Sequence, residues 1–355
     1  MSISSKELFL GACQGKKVAS HPPVWIMRQA GRYLPQYQAI RDKVSFLELC
    51  RDPKLATKVS LQPIDLIGVD AAIVFSDILL PLIDFGIEVN FPESGGIKLE
   101  WQLEKPLGFF TPGANVAATT ETISLIAAEL SPKAIPVLGF AGAPWTLAHY
   151  IIEGGSLRGK EQASKARHLS WTNAPLLHEL LGDLANMTAL YLKAQIRAGA
   201  DAIQLFDTWA GELSPRDFQH FVIPYLQKVL SLLPQNTPKI YYIKGVSPYL
   251  ELIAPLGFDV LSIDWKISLS TAWQRVSSVP GNTIKCLQGN LDPVKLEIDP
   301  ELVERETHHL VQEGQSLPCG HILNLGHGIT PSAKVECAKA FVTAGHLQST
   351  LASTG

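Results

Sequence analysis

The chain has 355 residues, of which 46% are hydrophobic and 18% are charged, and its formal net charge at pH 7 is -3. This composition is that of an ordinary globular protein, so it excludes a disordered chain, a collagen-like chain and a strongly basic nucleic-acid-binding chain. The length suits either two domains or a single α/β barrel with insertions.

The N-terminal sequence MSISSKELFLGACQGKK, residues 1–17, predicts a short amphipathic helix, because its apolar run is too short for a secretory signal peptide. The five cysteines, at positions 13, 50, 286, 319 and 337, are scattered and odd in number. They predict neither a disulfide framework nor a zinc ribbon, so we expect a reducing, cytoplasmic location. Residues 64–87 are apolar enough to suggest a membrane span, but they contain four aspartates and Pro81, which argues against one.

Short apolar runs alternate with longer segments of helical pattern along the chain. The eight predicted strands are residues 24–27, 71–75, 136–140, 201–206, 239–243, 259–263, 284–287 and 321–325. The predicted helices are residues 46–60, 119–131, 174–199, 215–233, 247–255, 300–315 and 331–345. Residues 87–115, rich in Gly and Pro, favour a hairpin or a long excursion.

Alternating strands and helices indicate a parallel sheet, and a count near eight favours a closed barrel over an open sheet. We therefore predict an α/β fold, a (β/α)8 TIM barrel, as a single domain over residues 1–355 with an N-terminal helical extension. In such a barrel the active site lies at the carboxyl ends of the strands. The side chains expected at that rim combine cations, carboxylates, a hydroxyl, an amide and a histidine: Arg28, Asp77, Thr208, Lys244, Asp264, Asn290 and His327.

Asp77 lies in the almost wholly apolar stretch IVFSDILLPL. Ionising a carboxyl group in such surroundings is costly unless donors or cations surround it. The residue therefore has two interpretations: a carboxylate that caps the turn before Pro81, or a buried acceptor presented to a ligand that carries N–H groups. We prefer the second because of the apolar neighbourhood.

Two arginines, Arg28 and Arg32, flank the tract Gln-Ala-Gly directly after the first predicted strand. Gly31 allows close backbone approach there, and Arg41 follows a little further on. Planar guanidinium groups bind carboxylates or phosphates through two parallel hydrogen bonds, so the segment predicts a site for an anionic ligand. The alternative is solvated surface charge, and it is strongest for Arg41.

His327 lies between two glycines in NLGHGITP, at the end of the last predicted strand, where it is not shielded by neighbouring side chains. Tyr150 in GAPWTLAHYIIEGGS suits a core aromatic residue on a helix or a phenol that bonds to a substrate. The sequence carries no dinucleotide fingerprint, no phosphate loop, no nucleophile elbow and no HExxH zinc helix. We therefore expect chemistry that uses no cofactor and no metal.

Five segments in consistent order, PPVWIMRQAGRYLPQY, VFSDILLPL, GFAGAPWTLAHYIIEGGS, QLFDTWAG and NLGHGI, resemble the uroporphyrinogen decarboxylase family over nearly the whole chain. The resemblance implies a cofactor-free barrel enzyme, a homodimer, that removes CO2 from the four acetate arms of uroporphyrinogen III to give coproporphyrinogen III. It implies no nucleic-acid or membrane partner. One departure is Thr208, where the family commonly has serine.

The resemblance also implies roles for individual residues. Arg28, Arg32 and Arg41 would bind the substrate carboxylates, and Asp77 would accept hydrogen bonds from the pyrrole N–H groups. Catalysis would involve Asp77, Arg28 and His327. The remaining substrate-binding candidates are the loop residues Gln29, Ala30 and Gly31, the polar side chains of Tyr150 and Thr208, and the apolar walls Phe46 and Phe206.

Two other functions remain open. Corrinoid-dependent methyltransferases of the same superfamily hold zinc through a His-x-Cys pair and a later cysteine, whereas this chain has Cys319 and His321 in the reverse order. A non-catalytic tetrapyrrole-binding protein would keep the arginines but would not need Asp77.

Overall fold

The computed structural model describes residues 3–17, 21–92, 95–102, 107–156 and 164–347, which form a mixed α/β fold. The strands are β1 (Ala72–Ile73), β2 (Glu88–Asn90), β3 (Lys98–Glu100), β4 (Val137–Gly142), β5 (Ala202–Phe206), β6 (Lys239–Tyr242), β7 (Val260–Ser262), β8 (Cys286–Leu291) and β9 (Gly320–Leu325). The α-helices are α1 (Ser5–Cys13), α2 (Pro35–Arg41), α3 (Phe46–Arg51), α4 (Pro53–Ile67), α5 (Leu80–Asp84), α6 (Ala114–Leu130), α7 (Pro144–Glu153), α8 (Lys165–Thr172), α9 (Ala174–Arg197), α10 (Pro215–Phe221), α11 (Ile223–Leu232), α12 (Leu250–Ile253), α13 (Leu269–Ser277), α14 (Pro300–Ser316) and α15 (Val335–His346).

Within the described residues, seven parallel strands form one sheet in the order β1-β4-β5-β6-β7-β8-β9. The sheet curls on itself, as shown by hydrogen bonds between buried side chains on segments that are not neighbours in the sheet. Gln288 on β8 donates a hydrogen bond to Gln204 on β5 at 3.1 Å although β6 and β7 lie between them. The Trp25 indole donates to the same Gln288 side chain at 3.0 Å, so the inner faces of distant strands meet across the interior.

The first predicted strand, residues 24–27, is wrong as a strand: it forms a single parallel bridge between Val24 and Leu323 on β9. On the other side of this segment, the Asp70 N–H donates to the Val24 carbonyl at 2.7 Å. The ladder ends early because the Met27 N–H donates to the Asn324 side chain at 2.9 Å instead of to the backbone of β9. The other seven predicted strands are confirmed, with ends that differ by up to four residues.

Several predicted helix boundaries are wrong for local reasons. The predicted helix 46–60 divides into α3 and α4 because the Asp52 side chain accepts hydrogen bonds from the first turn of α4. The predicted helix 215–233 divides at Val222 into α10 and α11. The helix expected to begin at Pro331 begins only at Val335. In the predicted helix 247–255, the first three residues form a 3-10 turn.

Other expectations are confirmed. The N-terminal helix is α1, and its Ser4 and Glu7 form a reciprocal capping box. The Gly- and Pro-rich stretch contains the antiparallel pair β2 and β3. In the described part of the chain, none of the helices combines the length and the hydrophobicity that a membrane span requires.

Candidate active site

The residues expected at the rim follow the carboxyl ends of the strands. Asp77 follows β1, Thr208 follows β5, Lys244 follows β6 and His327 follows β9, while Arg28 follows the bridge segment at Val24. Because all of these strands are parallel, their carboxyl ends lie at the same edge of the curled sheet. The structure therefore brings these side chains to one edge.

The backbone of Arg28 has an unusual conformation, with a φ of 65° in the left-handed region that favours glycine. The side chain lies against Gly328, where a Cβ atom would come within 2.4 Å of Arg28 Cδ. The Ile329 N–H donates to the Met27 carbonyl at 2.9 Å and ties the two loops together. Strain of this kind persists where the surroundings fix it, which is common at functional sites.

Electrostatics show that Arg28 lies near three other candidate residues. Its guanidinium opposes the rise in the pKa of Asp77, opposes the rise in the pKa of Tyr150, and lowers the pKa of His327. Asp77 also raises the pKa of Tyr150. One cation, one carboxyl group, one phenol and one imidazole therefore share a single electrostatic environment.

The structure shows the turn-capping role of the Asp77 carboxyl group, whereas ligand binding by this residue stays a prediction. Its Oδ1 accepts a hydrogen bond from the Leu79 N–H at 2.9 Å, which is the turn-capping contact. Within the described residues, no hydrogen bond reaches Oδ2. Burial raises the pKa of Asp77, while the Leu79 N–H and the Arg28 guanidinium act in the opposite direction. The carboxyl group thus has one anchored oxygen and one oxygen that can accept from a ligand.

His327 stacks on the ring of Tyr242, with centroids 5.8 Å apart and an interplanar angle of 24°. Its Nδ1 is buried and has no hydrogen-bond partner among the described residues. Burial, then Arg28 and Lys244, lower the pKa of His327 to about 4. The imidazole is therefore neutral at pH 7 and can donate from one ring nitrogen while it accepts at the other.

Tyr150 lies on α7 and is partly buried against Trp209, with ring centroids 6.4 Å apart in an edge-to-face arrangement. Burial raises the pKa of Tyr150, and the Trp209 indole opposes that rise. The phenol is consequently neutral at pH 7. Tyr150 is a packed aromatic residue near Arg28, as one sequence interpretation expects, and its bond to a substrate stays a prediction.

The proposed apolar walls are partly buried. Phe206 packs edge-to-face on Phe140 and Tyr242, at centroid distances of 5.6 Å and 5.9 Å. Phe46 contacts Phe75 at 5.8 Å and Phe91 at 5.1 Å. Each ring therefore belongs to an aromatic cluster.

The two residues after Arg28 differ in whether their polar groups are available to a ligand. The Gln29 side chain is fully buried: its amide donates to the Ala71 carbonyl at 2.9 Å, and its oxygen accepts from the Ile26 N–H at 3.1 Å. The Gln29 backbone N–H donates to the Ile26 carbonyl at 2.8 Å, so it is already engaged in a turn. Among the described residues, the Ala30 N–H has no such acceptor and is the better candidate to bind a ligand.

The other two arginines lie further from the centre of the site. Arg32 is exposed next to Gly31, and the Arg32 carbonyl accepts from the Gln38 side chain. Arg41 is the last residue of α2 and donates to the Val44 carbonyl, and it opposes the rise in the pKa of Tyr37 that burial causes. Burial is the main cause that raises the pKa of Cys50; the charge of Asp77 raises it further, and the charge of Arg41 opposes the rise. Arg41 and Asp77 are therefore both close to Cys50.

The sequence assigned no role to two neighbours of the site, Tyr242 and Asp207. Tyr242, the last residue of β6, supports His327 and donates to the Gly326 carbonyl at 3.2 Å. Asp207 is fully buried and accepts hydrogen bonds from Thr146 at 2.7 Å and Tyr241 at 2.8 Å. Burial raises the pKa of Asp207 to about 6, and the two donors oppose the shift. The sequence signal that could have identified Asp207 is its position in the QLFDTWAG motif, directly after β5.

The contact between Arg28 and Gly328 leads to a test of the site. We expect Gly328→Ala to displace the Arg28 side chain and to lower activity by roughly tenfold or more, because small misplacements of a positioning group are costly. The melting temperature should change little, since the atoms met by the new Cβ belong to a flexible side chain. Steady-state kinetics and thermal melting measure the two effects. Gly182→Ala, whose new Cβ would lie 3.8 Å from Lys228 Nζ and meet no clash, is the matched control.

A second prediction concerns stability against pH. Burial is the main cause that lowers the pKa values of His149, His321 and His327 to about 4 each, against about 6.5 when unfolded. Between pH 4 and pH 6.5 the unfolded chain binds more protons at these histidines than the folded chain does. Their contribution to the free energy of unfolding is therefore complete above pH 6.5 and is lost as the pH falls towards 4. The carboxyl groups of Asp77, Asp183 and Asp207, whose pKa values are raised mainly by burial, act in the opposite direction and offset part of the effect.

We therefore expect the melting temperature to fall as the pH is lowered from 7 to 5, and His321→Gln to weaken that dependence. His309→Gln, at an exposed histidine, serves as the control and should leave the slope unchanged. An identical slope in His321→Gln and in the parent protein would contradict the assignment of the shift to burial.

The candidate site does not contain the ligand set of a thiolate metal centre. All five cysteines are buried and free. Cys319 and His321 lie at the start of β9, at the opposite end of the strand from His327, and His321 faces Gly289 and Gly314. Among the described residues, the one cluster of metal-ligating side chains is His21, Asp70 and His346, which is elsewhere in the fold.

Comparison with known proteins identifies a family that matches nearly the whole chain. A family model described as uroporphyrinogen decarboxylase (URO-D) matches residues 4–347. The uroporphyrinogen decarboxylase of Carboxydothermus hydrogenoformans is 42% identical over 351 residues, which cover 97% of each chain. The protein of the same name from Geobacter metallireducens is 42% identical over 343 residues, covering 95% of this chain and 97% of the other.

Solved structures show a similar fold at lower sequence identity. A methyltransferase from Methanosarcina mazei superposes with a TM-score of 0.79 at 22% identity, over 97% of this chain and 98% of the other. A putative vitamin-B12-independent methionine synthase from Listeria monocytogenes gives a TM-score of 0.57 at 14% identity, over 94% and 96% of the two chains. At these identities the likeness concerns the fold alone.

Proposed function

The chain belongs to the uroporphyrinogen decarboxylase family, and we propose that it removes CO2 from the four acetate side chains of uroporphyrinogen III, without a cofactor, to give coproporphyrinogen III. The observation that carries the site assignment is the shared environment of Arg28, Asp77, Tyr150 and His327 at the carboxyl ends of the strands. The reaction belongs to porphyrin and heme biosynthesis, and the enzyme is a carboxy-lyase.

The chemistry of the substrate matches the charges of the edge. The macrocycle has eight carboxylates at its periphery and four pyrrole N–H groups at its centre. We assign the carboxylates to Arg28, Arg32 and Arg41, whose guanidinium groups can form paired hydrogen bonds with them. The Ala30 N–H and the Tyr150 and Thr208 hydroxyls add neutral donors, and Phe46 and Phe206 provide apolar walls for the ring.

Asp77 is assigned to the centre of the macrocycle. Its Oδ1 is held by the Leu79 N–H, which leaves Oδ2 to accept from the pyrrole N–H groups. Since burial raises the pKa of Asp77, the ionised carboxylate is stabilised by partners such as these donors and Arg28. A ligand that carries N–H groups can therefore donate hydrogen bonds to Asp77 Oδ2.

The decarboxylation step needs an electron sink, and the pyrrole ring supplies it. Protonation of the ring carbon next to the one that carries the acetate gives a conjugated iminium cation. The electrons of the C–CO2 bond then move into the ring, CO2 leaves and an exocyclic methylene group remains. Protonation of that methylene carbon and loss of the added ring proton restore the pyrrole with a methyl group.

Asp77 lowers the energy of this path because its negative charge faces the developing cation. This is electrostatic stabilisation of the transition state, with the sign opposite to that of an oxyanion hole. Arg28 holds the carboxylates of the substrate in register with Asp77. The neutral imidazole of His327 bonds to the substrate without adding a further positive charge near the cation.

We also propose finer features that follow from the family. The bridge at Val24 would close the curled sheet into a (β/α)8 barrel, and residues 1–355 would form one domain with α1 as an N-terminal extension. The enzyme would act as a cytoplasmic homodimer, which its five free cysteines suit. Light scattering coupled to size exclusion tests the dimer, because it gives the mass of the assembly directly.

The test of the proposed function is anaerobic incubation of the protein with uroporphyrinogen III. Chromatography of the oxidised products should show seven-, six-, five- and four-carboxylate porphyrins in sequence. A protein that binds the substrate but forms none of these products would be a tetrapyrrole-binding protein without catalysis. Transfer of a methyl group from a methylated corrinoid would instead favour the methyltransferase alternative, which rests on likeness of fold alone.

A further inference from the structure

A second cluster of chemically active side chains lies at the other end of the sheet. His21 precedes the bridge segment, Asp70 precedes β1, and His346 is the last residue of α15. One ligand atom from each of the three side chains lies within 4.8 Å of the others. Asp70 and Asp77 lie before and after the same strand, so this cluster is separated from the candidate active site by the length of β1.

The hydrogen bonds of the cluster are well defined. His346 Nε2 lies 2.8 Å from Asp70 Oδ2, which also accepts from the Val24 N–H at 2.8 Å. Asp70 Oδ1 accepts from the Ser5 hydroxyl at 3.1 Å. These contacts fix the carboxylate through Ser5, Val24 and His346, which lie in three separate parts of the chain. A carboxylate oriented in this way is what supports a metal ligand in proteins.

His21 completes the cluster in a form that suits coordination. Its Nδ1 lies 3.0 Å from the Pro22 carbonyl, which can only accept, so the hydrogen is on Nδ1 and the lone pair is on Nε2. The rings of His21 and His346 have centroids 4.8 Å apart.

From this geometry we propose that His21, Asp70 and His346 form a site for a divalent transition-metal ion, with Zn²⁺ as the best-suited ion. Two imidazoles and one carboxylate are ligands that Zn²⁺ accepts, and water can fill the remaining position. The ion takes the place of the hydrogen between His346 Nε2 and Asp70 Oδ2, and a side-chain rotation brings His21 to it. The side chains of His346 and Asp70 are 31% and 10% exposed, so the ion can enter from solvent.

The site would act on stability and not on decarboxylation. It joins the segment before the bridge, the start of β1 and the end of α15, which are far apart in sequence. An ion that binds only the folded chain stabilises it by mass action. This inference does not depend on the proposed function, because it concerns residues at the opposite end of the strand and is measured without substrate.

The experiment is a titration of untagged, chelator-treated protein with Zn²⁺ by calorimetry, and with Co²⁺ by visible absorption. We expect one ion per chain and a rise in melting temperature with Zn²⁺. Mg²⁺, which prefers oxygen ligands, should have no effect. His21→Ala should weaken the affinity at least about tenfold and abolish the rise in melting temperature.

His21→Ala is the informative variant because the hydrogen bond of His21 goes to the neighbouring Pro22 and the bond between His346 and Asp70 stays in place, so the variant loses only the His21–His346 ring contact. His346→Gln is the second variant, and His309→Ala at an exposed histidine is the matched control, which should bind like the parent. Binding that is unchanged in both His21→Ala and His346→Gln would overturn the proposal. Absence of saturable Zn²⁺ binding by the parent protein would do the same.

Discussion

Asp77→Asn is expected to lower the rate of uroporphyrinogen decarboxylation by roughly 10²- to 10³-fold, the usual loss when one preorganised electrostatic group is removed from an active site. Asparagine keeps the shape of the side chain and an oxygen for the Leu79 N–H, so the turn should survive. It removes the negative charge that faces the developing cation. Anaerobic kinetics with product analysis measure the loss, and circular dichroism checks the fold.

Asp299→Asn is the matched control for this variant. Asp299 is an exposed carboxylate whose side chain accepts from the Leu302 N–H and caps α14, so it is already engaged in the scaffold. Its replacement should cost some stability and leave the turnover number unchanged. If Asp77→Asn instead retained the turnover of the parent protein, Asp77 could not be the group that stabilises the cation.

Arg28→Gly is expected to separate activity from stability. Loss of the guanidinium should lower kcat/KM by at least about 10²-fold, because charge-assisted bonds to a substrate carboxylate are removed. The melting temperature should stay the same or rise slightly, since glycine adopts the φ of 65° without the cost of about 1 kcal/mol that other residues incur. The greater chain entropy of unfolded glycine offsets part of this gain.

Ala134→Gly is a suitable control because Ala134 is the other described non-glycine residue with positive φ, at 48°, and it lies in the turn between α6 and β4. It should show the same small effect on stability with full activity. A large fall in the melting temperature of Arg28→Gly would mean that the side chain has a structural role, and the loss of activity could then not be assigned to substrate binding.

Much of the fold could be predicted from the sequence because local patterns encode it. Seven of the eight predicted strands form the parallel sheet, and their apolar runs are buried. Helix α1 could be predicted from its amphipathic pattern, and its capping box belongs to the same local signal. The breaks at Asp52 and Val222 were missed although the signals for them are also local: an aspartate before Pro53, and Pro224 near the start of α11.

The first strand could not be predicted correctly because its end depends on a distant partner. Residues 24–27 are as apolar as the other strands, but the Met27 N–H donates to the Asn324 side chain. That contact joins positions almost three hundred residues apart. A hydrophobic pattern carries no information about which acceptor such an N–H will meet.

The sequence by itself determined the chemical inventory of this protein: the strand-end residues Arg28, Asp77 and His327, and the family that they indicate. Only the tertiary structure decided which of them share one environment, that Gln29 is buried in the scaffold, and that His21, Asp70 and His346 meet. The physical reason is that spacing along the chain sets periodicity, caps and turns. Curling of the sheet and crossing of the helices, which no local pattern encodes, decide the distances between side chains far apart in sequence.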